Sequence, residues 1–233
     1  MFKWLAGIVL AGVTFTSQAN IVILGTRVIY PSDQKNISVQ LTNKGSLPSL
    51  VQSWIDNGDE KADPNKLKLP FVITPPVSRV DPQKQQTLRI SYTGESLAKD
   101  RETLFFFNVL DIPPKPSKES LEKNPNYLQF SVRSRLKFFF RPANLPYPVE
   151  DAYHKVGWKI SGKQITVNNP TPYFITYSKV AVKQGNKSVA TRDADMVAPF
   201  STKTFNFNQT VSTGQIEWSV INDYGGETNG ISK

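Results

Sequence analysis

The stretch "YLQFSVRSRLKFFFRP", Tyr127 to Pro142, decides the fold. Apolar and polar residues alternate in it, which is the period of a β-strand. Leu128, Phe130 and Val132 share one face, and Gln129, Ser131 and Arg133 share the other. The stretch also carries three consecutive phenylalanines and is studded with Arg133, Arg135, Lys137 and Arg141. Left on an open edge, such a strand invites pairing with another chain. Two readings stand side by side. In one, it is an ordinary sandwich strand with its apolar face in its own core. In the other, it is an edge strand that lends its apolar side chains to a partner. Backbone hydrogen bonds would then give affinity, and pockets for alternate side chains would give specificity.

The surroundings are strand-like as well. "NIVILGTRVIY" reads as a strand that ends at a Pro31-Ser32-Asp33 turn, and "NISVQLTNKG" alternates with Ile37, Val39 and Leu41 on one face. "SLVQSWIDNGD" enters an Asn57-Gly58 turn, and "FVITPP", "QTLRISYTG" and "ETLFFFNVLDIPPKP" follow. Helical periodicity is scarce. Short strands with turn signals at this spacing predict an immunoglobulin-type sandwich. Ser117 to Pro125 is polar and proline-bounded and reads as a mobile loop. "RPANLPYPVEDAY" has three prolines and no periodicity, so it reads as a linker. Beyond it, "WKISGKQITVNN", "FITYSKVAVKQGNKSV", "TKTFNFNQ" and "QIEWSVINDYGG" form a second set of strands, with a hairpin turn at Gly185-Asn186. The expectation is all-β, with two immunoglobulin-like domains in series: 20–142 and 143–233.

The chain opens with "MFKWLAGIVLAGVTFTSQAN". Lys3 supplies a positive start, Leu5 to Phe15 a short apolar stretch, and Ser17-Gln18-Ala19 small residues suited to cleavage. Residues 1–19 therefore read as a signal peptide, with the mature chain starting at Asn20. No second long apolar run follows, so no membrane insertion is expected. Losing Lys3 lowers the net charge only from +9 to +8. A basic chain suggests an anionic partner, but export argues against nucleic acid, and no nucleic-acid motif is present. The chain has no cysteine, which removes disulfides, thiol catalysis and cysteine metal sites.

Nothing converges on catalysis. His154 is the single histidine and reads as a plain surface or interface residue. Asp56, Asp59, Glu60 and Asp63 lack calcium-loop spacing and read as a solvated turn. There is no phosphate-binding or dinucleotide loop, and no pair of carboxylates is singled out for hydrolysis. Trp54, Trp158 and Trp218 could stack sugars. A secreted or periplasmic carbohydrate-binding or adhesive β-sandwich is therefore the competing reading.

Six motifs bring a family into view: "TRVIYP" at Thr26 to Pro31, "TPPVSRVDP" at Thr74 to Pro82, "RETLFFFNVLDIPPKP" at Arg101 to Pro116, "LQFSVRSRLKFFFRP" at Leu128 to Pro142, "NPTPYF" at Asn169 to Phe174, and "INDYGG" at Ile221 to Gly226. Together, and in this order, they resemble the PapD-like periplasmic chaperones of pilus assembly in the chaperone–usher pathway. The resemblance spans nearly all of the mature chain. It implies two immunoglobulin-like domains in an L or boomerang arrangement with a cleft between them, no enzymatic activity and no cofactor or metal. It also implies periplasmic location, binding of pilus subunits that lack a strand, and delivery to an outer-membrane usher. The free donor strand could also self-associate.

Residue by residue, the resemblance puts the subunit's C-terminal carboxylate on Arg27 and Lys137. Leu128, Phe130 and Val132 become the residues that enter the subunit groove. Glu102, Arg141 and Asp223 become an interdomain salt-bridge network. Lys137 has the opposite parity to the donor trio. Either the two faces of one strand serve groove and cleft separately, or a bulge lies between Val132 and Lys137. The absence of cysteines points to the short-loop members of the family. The chain ends soon after "INDYGG", which leaves the extent of the last strand open.

Overall fold

Short runs of alternating apolar residues are buried by stacking one sheet on another, and this chain does so twice. In this computed structural model, which describes residues 20–123, 126–185 and 187–232, one core runs from Ile21 to Phe140 and a second from Val149 to Val220. The first sandwich contains β1 (Ile21–Ile23), β2 (Arg27–Pro31), β3 (Asn36–Asn43), β4 (Ser49–Asp56), β5 (Phe71–Thr74), β6 (Val77–Val80), β7 (Gln85–Tyr92), β8 (Thr103–Ile112) and β9 (Val132–Arg141). A short helix, α1 (Lys118–Lys123), lies between the last two. One sheet has the order β1-β3-β7-β5 and the other β2-β9-β8-β4-β6.

The second sandwich follows a short helix, α2 (Val149–Ala152). Its strands are β10 (Gly157–Ser161), β11 (Gln164–Asn169), β12 (Ile175–Gln184), β13 (Lys187–Ala190), β14 (Met196–Val197), β15 (Ser201–Asn206), β16 (Gln215–Ile221) and β17 (Glu227–Ser232). The sheets are β10-β11-β15 and β13-β12-β16-β17, with β14 paired to β12. The fold is all-β, with two immunoglobulin-like sandwiches.

Several local expectations change. The run 20–30 is two strands, not one. β1 pairs antiparallel with β3, and β2 crosses to the other sheet to pair parallel with β9. Gly25 makes the crossing at φ +97°, where a side chain would be strained. The Ser117–Pro125 stretch, read as a loop, contains α1. The linker contains α2, whose Val149 and Ala152 enter the second core. β17 pairs with β16 along its whole length, from Glu227 to Ser232. Residues 1–19, and Asn186 of the hairpin turn, lie outside the described residues.

Among the described residues, Trp54, Trp158 and Trp218 do not form a sugar platform. Trp218 is buried in the second core, Trp158 packs half-buried against Tyr177, and Trp54 lies beneath the Arg133 guanidinium. His154 is exposed beside Trp218, and among the described residues no acidic or histidine cluster could hold a metal.

β9 gives the first core its aromatic centre. Phe138 is fully buried, with its ring centroid 4.9 Å from Phe71, 6.1 Å from Tyr30 and 6.3 Å from Phe105. These tilted and edge-on pairs add to the value of burial. Phe138→Ala is expected to destabilise the first sandwich by about 3–5 kcal/mol, read as a shifted urea midpoint. A loss below about 1 kcal/mol would show that the ring cluster is not the core's mainstay.

Candidate functional site

The register of β9 explains its open edge. Against β8 the pairing runs without a break from Asp111–Val132 to Thr103–Phe140, so there is no bulge between Val132 and Lys137. Continued outward, the ladder would set Phe130 and Gln129 opposite Pro113 and Pro114. Proline has no N–H to donate, and the ladder stops. β9 therefore begins at Val132, and Leu128 and Phe130 lie in the irregular segment before it, a boundary the sequence pattern missed. The Gln129 side chain donates to the Pro113 carbonyl at 2.8 Å and ties this segment to the end of β8. On the other edge, β2 reaches only from Lys137 to Arg141, leaving Val132–Leu136 unpaired there.

The even-numbered residues of β9 face the core, where Leu136, Phe138 and Phe140 are buried. Beyond the end of the sandwich the same parity leaves Leu128, Phe130 and Val132 at 72%, 68% and 46% exposure. Large apolar side chains in a row are seldom left to water without a purpose. The odd-numbered residues face the other way. Phe139 meets Phe174 of the second sandwich at 5.6 Å, and Lys137 lies on that same side. One straight strand thus serves two surfaces.

Arg27 and Lys137 are Cα partners in the parallel β2–β9 pair. Like charges set side by side in a sheet repel. Among the described residues neither forms an ion pair with a carboxylate, and Arg27 Nε is buried without a hydrogen-bond partner. Asp195, the carboxylate whose charge acts on Lys137, is taken by Lys203 at 2.6 Å. Burial holds the Lys137 ammonium below the ordinary lysine value; Asp195 pulls upward, while Arg27 and Lys203 push further down. Burial also lowers the Arg27 guanidinium. Two half-buried cations without counter-ions make an anion site, best filled by a carboxylate that accepts charge-assisted hydrogen bonds from both.

Arg141 joins the sandwiches. Its Nε donates to Glu102 Oε1 at 2.7 Å, and its two terminal nitrogens donate to Asp223 at 2.6 and 3.0 Å. Glu102 Oε2 accepts from the Phe174 amide at 2.8 Å, and the Glu102 amide donates to the Pro172 carbonyl at 2.9 Å. Burial pushes the Glu102 carboxyl above its ordinary value against the pull of Arg141. For Arg141, burial is outweighed by Asp223 and Glu102, which hold it protonated. Gly225, at φ +82°, packs so closely that a Cβ there would lie 2.6 Å from Thr26 Oγ1. The "INDYGG" turn therefore touches the residue next to Arg27.

Asp56 was missed from sequence, where it read as part of a solvated turn. It is fully buried. It accepts from Arg135 at 2.6 and 3.0 Å, from Asn108 at 2.7 Å and from the Gly58 amide at 2.8 Å. The available signal was its place as the last residue of an alternating strand, with arginines two apart in another strand of the same sheet, one strand removed.

Two immunoglobulin-like sandwiches, an exposed apolar run at a strand edge and, among the described residues, a cation pair without a carboxylate partner are the geometry of a binding protein. Comparison with known proteins agrees. Residues 20–146 match the family model "Pili and flagellar-assembly chaperone, PapD N-terminal domain", and residues 151–232 match "Pili assembly chaperone PapD, C-terminal domain". The chaperone protein HifB of Haemophilus influenzae is 48% identical over 217 residues, covering 93% of this chain and 88% of HifB. The crystal structure of the Pseudomonas aeruginosa CupB2 chaperone superposes with a TM-score of 0.79 at 36% identity, covering 90% of this chain and 98% of that one. The Salmonella enterica SafB chaperone, solved in complex with the SafA pilin, gives 0.77 at 30% identity, covering 94% and 98%. The chain belongs to the PapD-like pilus assembly chaperones of the chaperone–usher pathway.

Removing Arg141 would leave the buried Glu102 carboxylate without its cation. Arg141→Ala is expected to cost about 3–5 kcal/mol in urea unfolding. A loss no larger than that of an exposed arginine would refute this account of the junction.

Proposed function

We propose that the chain works in the periplasm as a capping partner for pilus subunits that lack a strand, lending them its own. In this reading residues 1–19 direct export, 20–142 form the domain carrying the donor strand, and 143–233 form the second domain. Leu128, Phe130 and Val132 fill successive pockets of the subunit groove. Arg27 and Lys137 hold the subunit's C-terminal carboxylate, so the subunit strand ends at a fixed point. Glu102, Arg141 and Asp223 fix the relation between the domains. The loaded complex then passes to an outer-membrane usher, and a free donor edge invites pairing with a second copy of the chain.

One observation carries this reading. The exposed apolar run enters β9 at Val132, and Lys137, the β9 member of the cation pair, lies five residues further along the same strand on the opposite face. β-Augmentation needs the first, and a chain terminus needs the second.

The test is recovery of a periplasmic subunit with the tagged full-length chain. Lys137→Met and Arg27→Ala should each abolish recovery while the chain stays folded, and subunit held normally by both variants would sink the anchoring model. Lys137→Met should also raise the thermal midpoint of the free chain by about 2–4 °C, because it removes a half-buried charge that has no partner. The pH dependence has a definite sign. The carboxylate needs the charged ammonium, so capture should weaken as pH rises through the lowered Lys137 value, below that of an ordinary lysine. Capture that stayed constant up to the ordinary lysine range would contradict it.

A further inference from the structure

The face of β9 that looks toward the second sandwich carries Arg133, Arg135, Lys137 and Arg141, cations at nearly every second residue. A captured strand could slip by two residues and keep all its side chains on the correct faces. Apolar alternation resists such a slip only at the ends of the Leu128, Phe130 and Val132 trio. A carboxylate two residues short would meet Arg135 instead of Lys137. Something must make the wrong cations unattractive.

We infer that Asp56 sets the register at which a captured subunit ends, by occupying the arginines that would compete with Lys137 for its carboxylate. This inference rests on the carboxylate-anchoring reading above. Arg135 gives Asp56 two hydrogen bonds, at 2.6 and 3.0 Å, and gives Glu60 Oε1 a third at 3.0 Å. Its guanidinium lies 3.6 Å from the Phe106 ring centroid, covered on that side. Arg133 reaches Asp56 at 3.4 Å, Asn108 Oδ1 at 2.8 and 2.9 Å and the Glu60 carbonyl at 2.7 Å. Arg141 is committed to Glu102 and Asp223. Among the described residues, Lys137 and its partner Arg27 are left as the cations of this face without a carboxylate.

Displacing Asp56 would be costly. A subunit carboxylate arriving at Arg135 would strand a fully buried carboxylate, and breaking a buried pair costs far more than an exposed one. Burial alone would raise the Asp56 carboxyl, but Arg135, Asn108 and the Gly58 amide outweigh it and hold it below its ordinary value. It therefore stays charged and bound. Asp56 touches no subunit in this scheme; it is a positioning residue that acts through Arg135.

The probe is the subunit recovered with the full chain, used whole and lacking its last two residues. The unaltered protein should bind the shortened subunit at least about tenfold more weakly than the whole one. Asp56→Asn frees Arg135 and should tighten binding of the shortened subunit about tenfold. The double variant Asp56→Asn with Arg135→Gln should lose that gain while binding the whole subunit normally, which a merely structural role for Asp56 would not produce. If Asp56→Asn alone does not unfold cooperatively in urea, Glu60→Gln, which loosens Arg135 from an exposed partner, is read in its place and should gain in the same direction. No gain in the variant read, with Lys137→Ala still losing the whole subunit, overturns this inference and leaves anchoring intact. Normal capture by Lys137→Ala overturns anchoring itself.

Discussion

Pro113 and Pro114 have no amide hydrogen to give, and the working surface of the molecule follows from that lack. β8 and β9 pair in perfect register up to Asp111 and Val132. The prolines end the ladder there, while β9's apolar alternation continues outward through Phe130 and Leu128. A core-facing strand is thus extended past its own core. What would be a liability in most sheets is an edge whose length is set by the two residues that follow the strand beside it.

The cation pair is a second case in which function opposes stability. A parallel strand of five residues brings Arg27 beside Lys137, and among the described residues neither has a carboxylate partner. Elsewhere on the same face every arginine is matched with carboxylates, through Asp56, Glu102 and Asp223. The contrast sets this pair apart as the place on the face where an added carboxylate would be most stabilised. The Arg141 junction holds the second sandwich against that face through the Phe139–Phe174 contact and the close approach of Gly225 to Thr26.

Much of this was legible in the sequence, and the failures have physical reasons. Period-two alternation in β3, β4, β7 and β9 located those strands, because a half-buried strand must alternate. The motif resemblance named the residues that the structure brings into contact at the Arg141 junction. Three things were hidden. Gly25 divides one apolar run between opposite sheets, and apolar periodicity is blind to which sheet a strand joins. Asp56 read as solvated because it sits beside other acids at a turn; only tertiary pairing with β9 buries it. The point where β9 begins was hidden too, since it depends on the prolines of another strand, a non-local effect that a pattern along one segment does not contain.

The irregular segment from Tyr127 to Ser131 is held beside β8 by a side chain, Gln129 on the Pro113 carbonyl, and not by a backbone ladder. A partner that pairs with it breaks no main-chain hydrogen bond of the host, and one that departs leaves none to be re-formed. Pairing along this segment therefore requires no unfolding of the host, although any partner held by the folded chain adds to its stability by mass action.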